Sequence, residues 1–443
     1  MNAKHWSATQ ILSVGFAVII LIGGFLLSLP IASRSGLGIP FLSGLFTSAS
    51  ATCVTGLVLY DTWTQFSYFG QAIILLLIQI GGLGFMAVAI LFSLAIGRRI
   101  GLRERSLLAE AVSSIQVGGV VRLVRRMLIG TALFEGAGAL LLAIRFVPML
   151  GLRQGLWFSV FHAVSAFCNA GFDLMGIRAP FSSLTGFCDD PLVILTVAGL
   201  IIVGGIGFVV WNDLIESRFR IKELHLHTRA VLFSTFLLLL VGTVAFAGLE
   251  YNGTMRSMNI GARILASFFQ SVTPRTAGFN SIDIASLTDG SKFVTMLLML
   301  IGAAPGGTGG GIKVTTFAVI TAAVLAQLKG REDVNLFRFR VETDAIRRAY
   351  SGAAVYLSMT VGGILILCAQ GQPLTEATFE ALSAIGTVGL TAGITPTLAP
   401  LSQIAIILLM YAGRVGSLTV FMAVARSTHS GRLRNPSGKI IVG

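Results

Sequence analysis

The sequence repeats one pattern four times: Phe46-TSASATCVT-Gly56, Phe161-HAVSAFCNA-Gly171, Phe268-FQSVTPRTA-Gly278 and Phe379-EALSAIGTV-Gly389. Each copy places Phe ten residues before the glycine, and a Leu or Phe follows the glycine directly. Three copies have Ser six residues before the glycine, where the third has Val272. The glycines lie 115, 107 and 111 residues apart, which indicates a long internal repeat. Each stretch is too short to cross a bilayer, so we predict a short re-entrant helix that ends in a glycine loop.

The composition indicates that most of the chain lies in a membrane. Of the 443 residues 54% are hydrophobic and 12% charged, whereas an average soluble domain has about 25% charged residues. The mean hydropathy is +0.85, and apolar runs long enough to span a bilayer recur. We predict an all-α polytopic membrane protein with eight spanning helices and four re-entrant pore helices, the first run being retained rather than cleaved as a signal. The eight segments are 11–29, 72–97, 127–144, 191–211, 230–249, 293–328, 349–369 and 401–425.

A second glycine pattern supports the repeat. G-[G/R]-x-G recurs 24 to 33 residues after each loop glycine, although close packing of membrane helices would also explain it. The stretch 293–328 is too long for one straight span, so we expect it to break at its Gly-rich middle. Each predicted repeat consists of a helix, a pore loop and a second helix. The repeats are 1–97, 98–217, 218–330, with a broken second helix and a Gly-rich loop at 304–311, and 331–443.

Basic residues are distributed unevenly between the two sides of the predicted membrane. With alternating connections, 22 Lys and Arg fall on one side and eight on the other, which places both termini in the cytoplasm. Topology therefore accounts for the net charge of +13, and we expect no nucleic-acid partner. All four repeats begin and end on the cytoplasmic side, which favours a central pore. The alternative, an ion-coupled secondary carrier with a midplane substrate site, would use inverted repeats.

The four loops predict a path for a cation. Backbone outside a helix is tolerated at membrane depth only where it lines water or is buried in protein. Loops that converge on one axis would present rings of carbonyl oxygens, as a potassium filter does, while the pore helices direct their partially negative C-terminal ends at the ion. Glycine permits the backbone conformation that this needs. The predicted K⁺-binding residues are Cys53, Val54, Thr55, Gly56, Cys168, Asn169, Ala170, Gly171, Arg275, Thr276, Ala277, Gly278, Gly386, Thr387, Val388 and Gly389.

Two features predict an intramembrane gate below these loops. Arg414 lies within a span, where a charge costs about 2.5–3.5 kcal/mol and usually has a function, so we expect an electrostatic barrier to cations. A structural arginine that snorkels or pairs with Glu135 is the alternative. The Gly-rich break is expected to plug the pore and swing aside, with Lys313 as a tether, and a plain kink is its alternative. The predicted gate residues are Gly306, Gly307, Thr308, Gly309, Gly310, Gly311, Lys313 and Arg414.

The stretch SASATCVTGLVLYD at 48–61, the fourfold loop and the lone Arg414 resemble the Trk/Ktr/HKT superfamily of potassium transporters, and within it the bacterial KtrB-type membrane subunits. The resemblance covers nearly the whole chain. It implies a multi-pass protein of the bacterial inner membrane that carries K⁺, with Na⁺ either coupled or activating. It also implies a homodimer and a cytosolic ring of nucleotide-binding (RCK-type, KtrA-like) regulatory subunits. The loops depart from the T-V-G-Y-G filter of potassium channels because the neighbours of their aligned glycine differ.

Motifs of soluble enzymes are present only by coincidence. The G-x-G-x-x-A match at 82–87 lies in an apolar run without a preceding strand, and the P-loop-like stretch 306–313 has Ile312 where lysine must stand. The four cysteines are scattered, and the five histidines form no metal-binding motif. We therefore expect a transporter rather than an enzyme, with no organic cofactor in this chain and any nucleotide bound by a partner.

Overall fold

The structure, a computed structural model, describes residues 8–84 and 120–416. The predicted boundary between the first and second repeats, at residue 97, lies outside these residues. The start of the first repeat and the end of the fourth also lie outside them. The described chain is mainly helical, with one two-stranded antiparallel hairpin. The elements are α1 (Ala8–Ser28), α2 (Phe41–Thr52), α3 (Thr62–Gln65), α4 (Tyr68–Leu83), α5 (Val120–Leu150), α6 (Leu152–Phe167), α7 (Pro191–Gly205), α8 (Phe208–Glu216), α9 (Leu226–Leu249), α10 (Ile260–Val272), α11 (Asp289–Leu300), α12 (Val314–Leu328), β1 (Asn335–Leu336), β2 (Phe339–Arg340), α13 (Thr343–Ala369), α14 (Leu374–Gly386) and α15 (Pro400–Val415).

Four of the described helices, α1, α5, α9 and α13, are long and apolar enough to cross a membrane, and the bent pair α7–α8 can count as a fifth span. Large apolar side chains on their outer faces are exposed, among them Leu140, Phe236 and Leu365. Such a surface is stable in lipid, whereas in water it would favour aggregation. The polytopic helical fold is thus confirmed, and the count of eight spans stays a prediction.

The helices that follow the pore loops are shorter than the sequence indicated, because glycines interrupt them. Gly84 ends α4 with φ 81°, Gly416 ends α15 with φ 98°, and Gly207, with φ 92°, separates α7 from α8. Since a left-handed residue cannot continue an α-helix, α7 and α8 meet at 87°. The segment 191–211, which we expected to be one continuous span, is therefore bent.

The third such helix breaks over a longer segment, as its Gly-rich sequence predicted. Residues 301–313, called the inner loop below, separate α11 from α12. Gly302 donates from its backbone N–H to the carbonyl of Ile312 at 2.8 Å, and Val314 donates to Ala303 at 3.2 Å. The two ends of the inner loop therefore lie side by side, and the loop folds back between them.

Four short helices, α2, α6, α10 and α14, lie inside the shell of longer helices. Their inward positions are buried, and Phe46, Phe161 and Phe379 are fully inaccessible to solvent. In α10 the adjacent Phe269 is fully buried, whereas Phe268, the residue that the pattern aligned, is only partly buried. We call these four the pore helices.

The first glycine of the second pattern lets a pore helix approach closely. A β-carbon on Gly81, Gly204 or Gly413 would collide with a backbone carbonyl in the last turn of a pore helix. The carbonyls are those of Thr52, Phe167 and Ile385 respectively. In three of its four copies the second pattern therefore serves close packing at its first glycine and helix termination at its last, whereas the third copy, 306–309, lies in the inner loop.

We expect Gly204→Ala to destabilise the fold by about 1–3 kcal/mol, the usual cost of overpacking, because its β-carbon would meet the Phe167 carbonyl. Gly199→Ala is the matched control on the same helix, since nothing lies within 4 Å of its β-carbon. The melting temperature of the detergent-purified protein should fall for Gly204→Ala alone. Equal melting temperatures for the two variants would contradict the close approach.

Candidate functional site

Each pore helix ends at a loop in which the backbone alternates its handedness. The loop glycines Gly56, Gly171, Gly278 and Gly389 have φ between 71° and 95°. Two residues earlier, a residue other than glycine also adopts positive φ in every loop. These residues are Val54, Asn169, Thr276 and Thr387, with φ of 51°, 57°, 73° and 50°. A left-handed conformation of such residues costs free energy, and the same strain at four equivalent positions indicates a functional constraint.

The four loops close into a ring. A β-carbon placed on any loop glycine would contact the carbonyl oxygen of the residue that precedes the next loop glycine. The contacts are Gly56 with Ala170 at 2.6 Å, Gly171 with Ala277 at 2.8 Å, Gly278 with Val388 at 2.7 Å, and Gly389 with Thr55. The first loop contacts the second, the second the third, the third the fourth and the fourth the first, so the ring has no gap. The ring therefore consists of backbone atoms, with no room for a side chain at the glycines.

Hydroxyl groups of the pore helices support the first and fourth loops. Ser50 accepts a hydrogen bond from the backbone N–H of Gly56 at 3.0 Å, and Ser383 accepts from that of Gly389 at 3.1 Å. Both serines stand six residues before their glycine, as the pattern predicted. They fix the orientation of the peptide that precedes each glycine.

In the second and third loops the hydroxyl donates instead. Ser165 donates to the carbonyl of Phe172 at 2.7 Å, and Thr273 donates to the carbonyl of Phe279. Thr273 lies one residue after Val272, where the alignment had found no hydroxyl. Since Phe269 is likewise buried in place of Phe268, the third pore helix carries the shared features one residue later.

Two further side chains hold the segments after the glycines. His162 Nε2 accepts from the backbone N–H of Leu174 at 3.3 Å, and the carboxylate of Glu380 accepts from that of Ala392 at 3.2 Å. Both donors lie three residues after a loop glycine, and both acceptors lie nine before it. Sequence reasoning missed this pair, although the equal spacing was a signal that could have revealed it.

The inner loop packs directly against the ring. The N–H of Gly310 donates to Thr387 Oγ1 at 2.9 Å, and the α-carbon of Gly309 lies against the Thr276 side chain. On the opposite side, the N–H of Thr308 donates to the carbonyl of Gly204 at 3.2 Å. Thr308 to Gly310 are buried. The structure therefore brings the predicted gate residues together with the predicted ion-binding residues.

Arg414 of α15 bonds to two other segments through their backbone carbonyls. Its guanidinium donates to Gly81 and Gly82, in the last turn of α4, and to Thr308 of the inner loop. The last carbonyls of a helix lack partners within the helix, so Arg414 satisfies those of α4. Among the described residues it forms no ion pair with Glu135, whose carboxylate accepts from Gln79 Nε2 at 3.1 Å.

The two other cations of the predicted site have different surroundings. Lys313 Nζ donates to the carbonyl of Gly309 at 2.8 Å, so this side chain ties one end of the inner loop to its middle. Arg275 points away from the ring and donates to Thr235 Oγ1 of α9 at 3.3 Å. The side chain of Arg275 thus braces the third loop from behind, while its backbone remains part of that loop.

A helical membrane protein whose buried loops close into a ring of backbone belongs to the class of membrane transport proteins. The family model described as a cation transport protein, TrkH, matches residues 5–435, and the chain belongs to this family. The resemblance to the Trk/Ktr/HKT superfamily is thereby confirmed, as is the expectation of a transporter rather than an enzyme.

Related proteins match over nearly their whole length. The chain is 43% identical to the Ktr system potassium uptake protein B of Bacillus subtilis, with 99% of this chain and 97% of that protein covered. It is 41% identical to the potassium/sodium uptake protein NtpJ of Enterococcus hirae, over 95% and 93% of the two chains. The crystal structure of the potassium transporter TrkH from Vibrio parahaemolyticus aligns with a TM-score of 0.76 at 18% identity, over 96% and 86% of the chains, which confirms the fold.

We expect Thr273→Val to destabilise the third loop, because the buried carbonyl of Phe279 would lose its donor at a cost of about 1–3 kcal/mol. Thr243→Val is the matched control, since the Thr243 hydroxyl donates to a carbonyl, that of Leu239, within its own helix. Melting in detergent should separate the two variants. If Thr273→Val melted like the wild-type protein, the Thr273 hydroxyl would not replace the missing serine.

Proposed function

We propose that the chain is the K⁺-translocating subunit of a bacterial potassium uptake system and that the ring of four loops is its selectivity filter. The observation that carries this proposal is the closed contact of every loop glycine with the next loop. Two relatives above 40% identity are named as potassium and potassium/sodium uptake proteins, which supports K⁺ as the transported ion.

The chemistry of the ring suits a weakly hydrated monovalent cation. Carbonyl oxygens replace the hydration shell of the ion without adding a full negative charge, so the ion binds yet leaves again. The pore helices end at the ring, and the partial negative charge at their C-terminal ends favours a cation there. Glu380 is held by Ala392 and Thr395 beyond the glycine. The ion therefore meets backbone carbonyls rather than this carboxylate.

We expect Gly56→Ser, Gly171→Ser, Gly278→Ser and Gly389→Ser to weaken the preference for K⁺ over Na⁺, because a β-carbon at each would displace the next loop. A loss of about 1.4 kcal/mol in differential binding would lower the preference roughly tenfold. Rubidium flux into proteoliposomes, competed by K⁺ and by Na⁺, measures it.

Gly371→Ser is the matched control for these variants. Gly371 also has positive φ, at 84°, but it lies in the turn between α13 and α14 with nothing within 4 Å of its β-carbon. It should keep the wild-type preference despite the same backbone strain. If all four ring variants also kept it at normal abundance, the ring would not be the filter.

The inner loop and Arg414 are proposed as the gate. The loop covers Thr276 and Thr387 on one side of the ring, so an ion that leaves the ring must pass it. Arg414 adds a positive charge and also holds the loop through the carbonyl of Thr308. Opening then requires the loop to exchange its hydrogen bonds, which the absence of side chains at its glycines makes sterically easy.

We expect Arg414→Ala to raise the maximal K⁺ flux, because it removes both the charge and the hydrogen bonds that hold the loop. A charge about 6 Å from the ion at an effective dielectric constant of about 20 opposes it by roughly 3 kcal/mol, so removing the charge alone raises the flux by about a hundredfold. Arg414→Lys keeps the charge but cannot reach three carbonyls with one planar group.

The lysine variant separates the two roles of Arg414. Flux near the wild-type value in Arg414→Lys indicates that the charge dominates, and flux near that of Arg414→Ala indicates that the hydrogen bonds dominate. Selectivity should be unchanged in both variants. A lower flux in Arg414→Ala at unchanged abundance would contradict the gate and leave a structural arginine.

The proposed setting is the inner membrane of a bacterium, with both termini in the cytoplasm. The excess of Lys and Arg on one side supports this orientation. Because a close relative is named as part of a Ktr system, we propose a homodimer that docks on a cytosolic ring of nucleotide-binding regulatory subunits. Blue-native electrophoresis of the purified chain tests the dimer.

A further inference from the structure

A groove of about 320 Å³ lies between α9 and α12, outside the ring and the inner loop. Its walls are mainly apolar, with Phe233 and Leu237 on α9 facing Phe317 and Leu325 on α12. All four side chains are at least 40% exposed, so the groove is open along its length rather than closed within the protein. Helix α9 is long and apolar enough to cross a membrane and α12 is a shorter apolar helix, so we place the open side of the groove against the hydrocarbon of the bilayer.

The β1–β2 hairpin covers one end of the groove. Phe337, between the two strands, packs edge-to-face on Phe233 with ring centroids 5.5 Å apart. This end follows α12 and precedes α13, on the side that the charge distribution assigns to the cytoplasm. The groove therefore runs from the proposed cytoplasmic surface toward the middle of the membrane.

The covered end carries a net positive charge. Lys329 and Arg331 line it, and both side chains are exposed without an ion pair among the described residues. The third charged residue of the lining, Asp333, pairs with Arg340 at 2.9 Å and so does not neutralise them. An apolar slot with two free cations at its interfacial end is complementary to a chain of hydrocarbon that ends in an anion.

We propose that this groove binds an anionic phospholipid, with one acyl chain between α9 and α12 and the phosphate on Lys329 and Arg331. Basic pockets between membrane helices on the cytoplasmic side are typical binding sites of anionic lipid headgroups. The volume is within the roughly 300–1,000 Å³ of ordinary ligand sites. A soluble anion would use the two cations but leave the apolar walls without a partner.

The position of the groove gives the lipid a regulatory consequence, which rests on the proposed function. Helix α12 begins at Val314, directly after Lys313 and the inner loop. A lipid that fills the space between α9 and α12 fixes the position of α12 and, with it, the end of the inner loop. Binding of anionic lipid therefore biases the proposed gate.

The test measures lipid binding apart from transport. Delipidated protein is titrated with phosphatidylglycerol or phosphatidylcholine, each with and without inorganic phosphate, and bound lipid is counted by native mass spectrometry. Phosphatidylglycerol should bind at least tenfold more tightly than phosphatidylcholine. The double variant Lys329→Gln/Arg331→Gln should remove this difference, whereas Arg347→Gln/Arg348→Gln, outside the groove, should keep it.

A second pair of variants tests the apolar walls without changing charge. Ala322 lines the groove, and Ala322→Phe should fill it and reduce phosphatidylglycerol binding. Ala354 is exposed on α13 away from the groove, so Ala354→Phe should not affect binding. Elution of both variants at the size of the wild-type oligomer on size-exclusion chromatography shows that they are folded, so that their lipid binding can be compared.

Three results would overturn the proposal. Equal binding of phosphatidylglycerol and phosphatidylcholine would show that the anionic headgroup is not recognised. Complete displacement of phosphatidylglycerol by inorganic phosphate would leave a site for a free anion. If Ala322→Phe changed the oligomeric mass and left lipid binding unchanged, the groove would be an interface between copies of the chain. In a separate arm, rubidium flux in liposomes with and without phosphatidylglycerol tests only the link to the gate. Binding without any effect on flux would leave the lipid site standing and remove that link.

Discussion

The architecture depends on one constraint, which is that backbone without helical hydrogen bonds cannot face lipid. The chain has four such loops at the ends of buried helices, and it satisfies the constraint by packing each loop against the next. Hydroxyls from the pore helices take up part of the remaining backbone groups, as Ser50 and Ser383 do for Gly56 and Gly389. The outer helices can then present apolar side chains to lipid. The contacts around the ring stabilise the four residues other than glycine that adopt positive φ.

The inner loop is subject to the same constraint, and its solution links distant parts of the chain. Its backbone bonds to Gly204 and to Thr387, which lie far apart in the chain, and Arg414 connects it to the end of α4. The inner loop also packs against Thr276 and Thr387 of the ring. A movement of the inner loop therefore changes the contacts of several segments at once. Because these hydrogen bonds involve the same loop, they break and form together, which favours a movement between two discrete states.

The sequence predicted the helical membrane fold and the four loops because their features are local. A Phe on a short helix and a glycine ten residues later in the loop that follows repeat visibly, and glycine at positive φ has few substitutes. What it could not predict depends on contacts between segments. The partners of Arg414 are carbonyls far away in sequence, and the replacement of Val272 by Thr273 is visible only once the third pore helix is placed. The bend at Gly207 was hidden because its neighbours are as apolar as any spanning helix.

Placing all four loops on one polypeptide has a consequence for charge. A pore assembled from four identical subunits would carry four copies of any residue at the level of Arg414. Like charges about 6 Å apart at an effective dielectric constant of about 20 repel by roughly 3 kcal/mol per pair, and four of them would force the subunits apart or lose their protons. With the four loops on one polypeptide and free to diverge, Arg414 occurs once, and its guanidinium donates to Thr308 of the inner loop and to Gly81 at the end of α4. Covalent fusion thus permits an arginine that occurs once beside the inner loop, whereas fourfold rotational symmetry would require four copies of it.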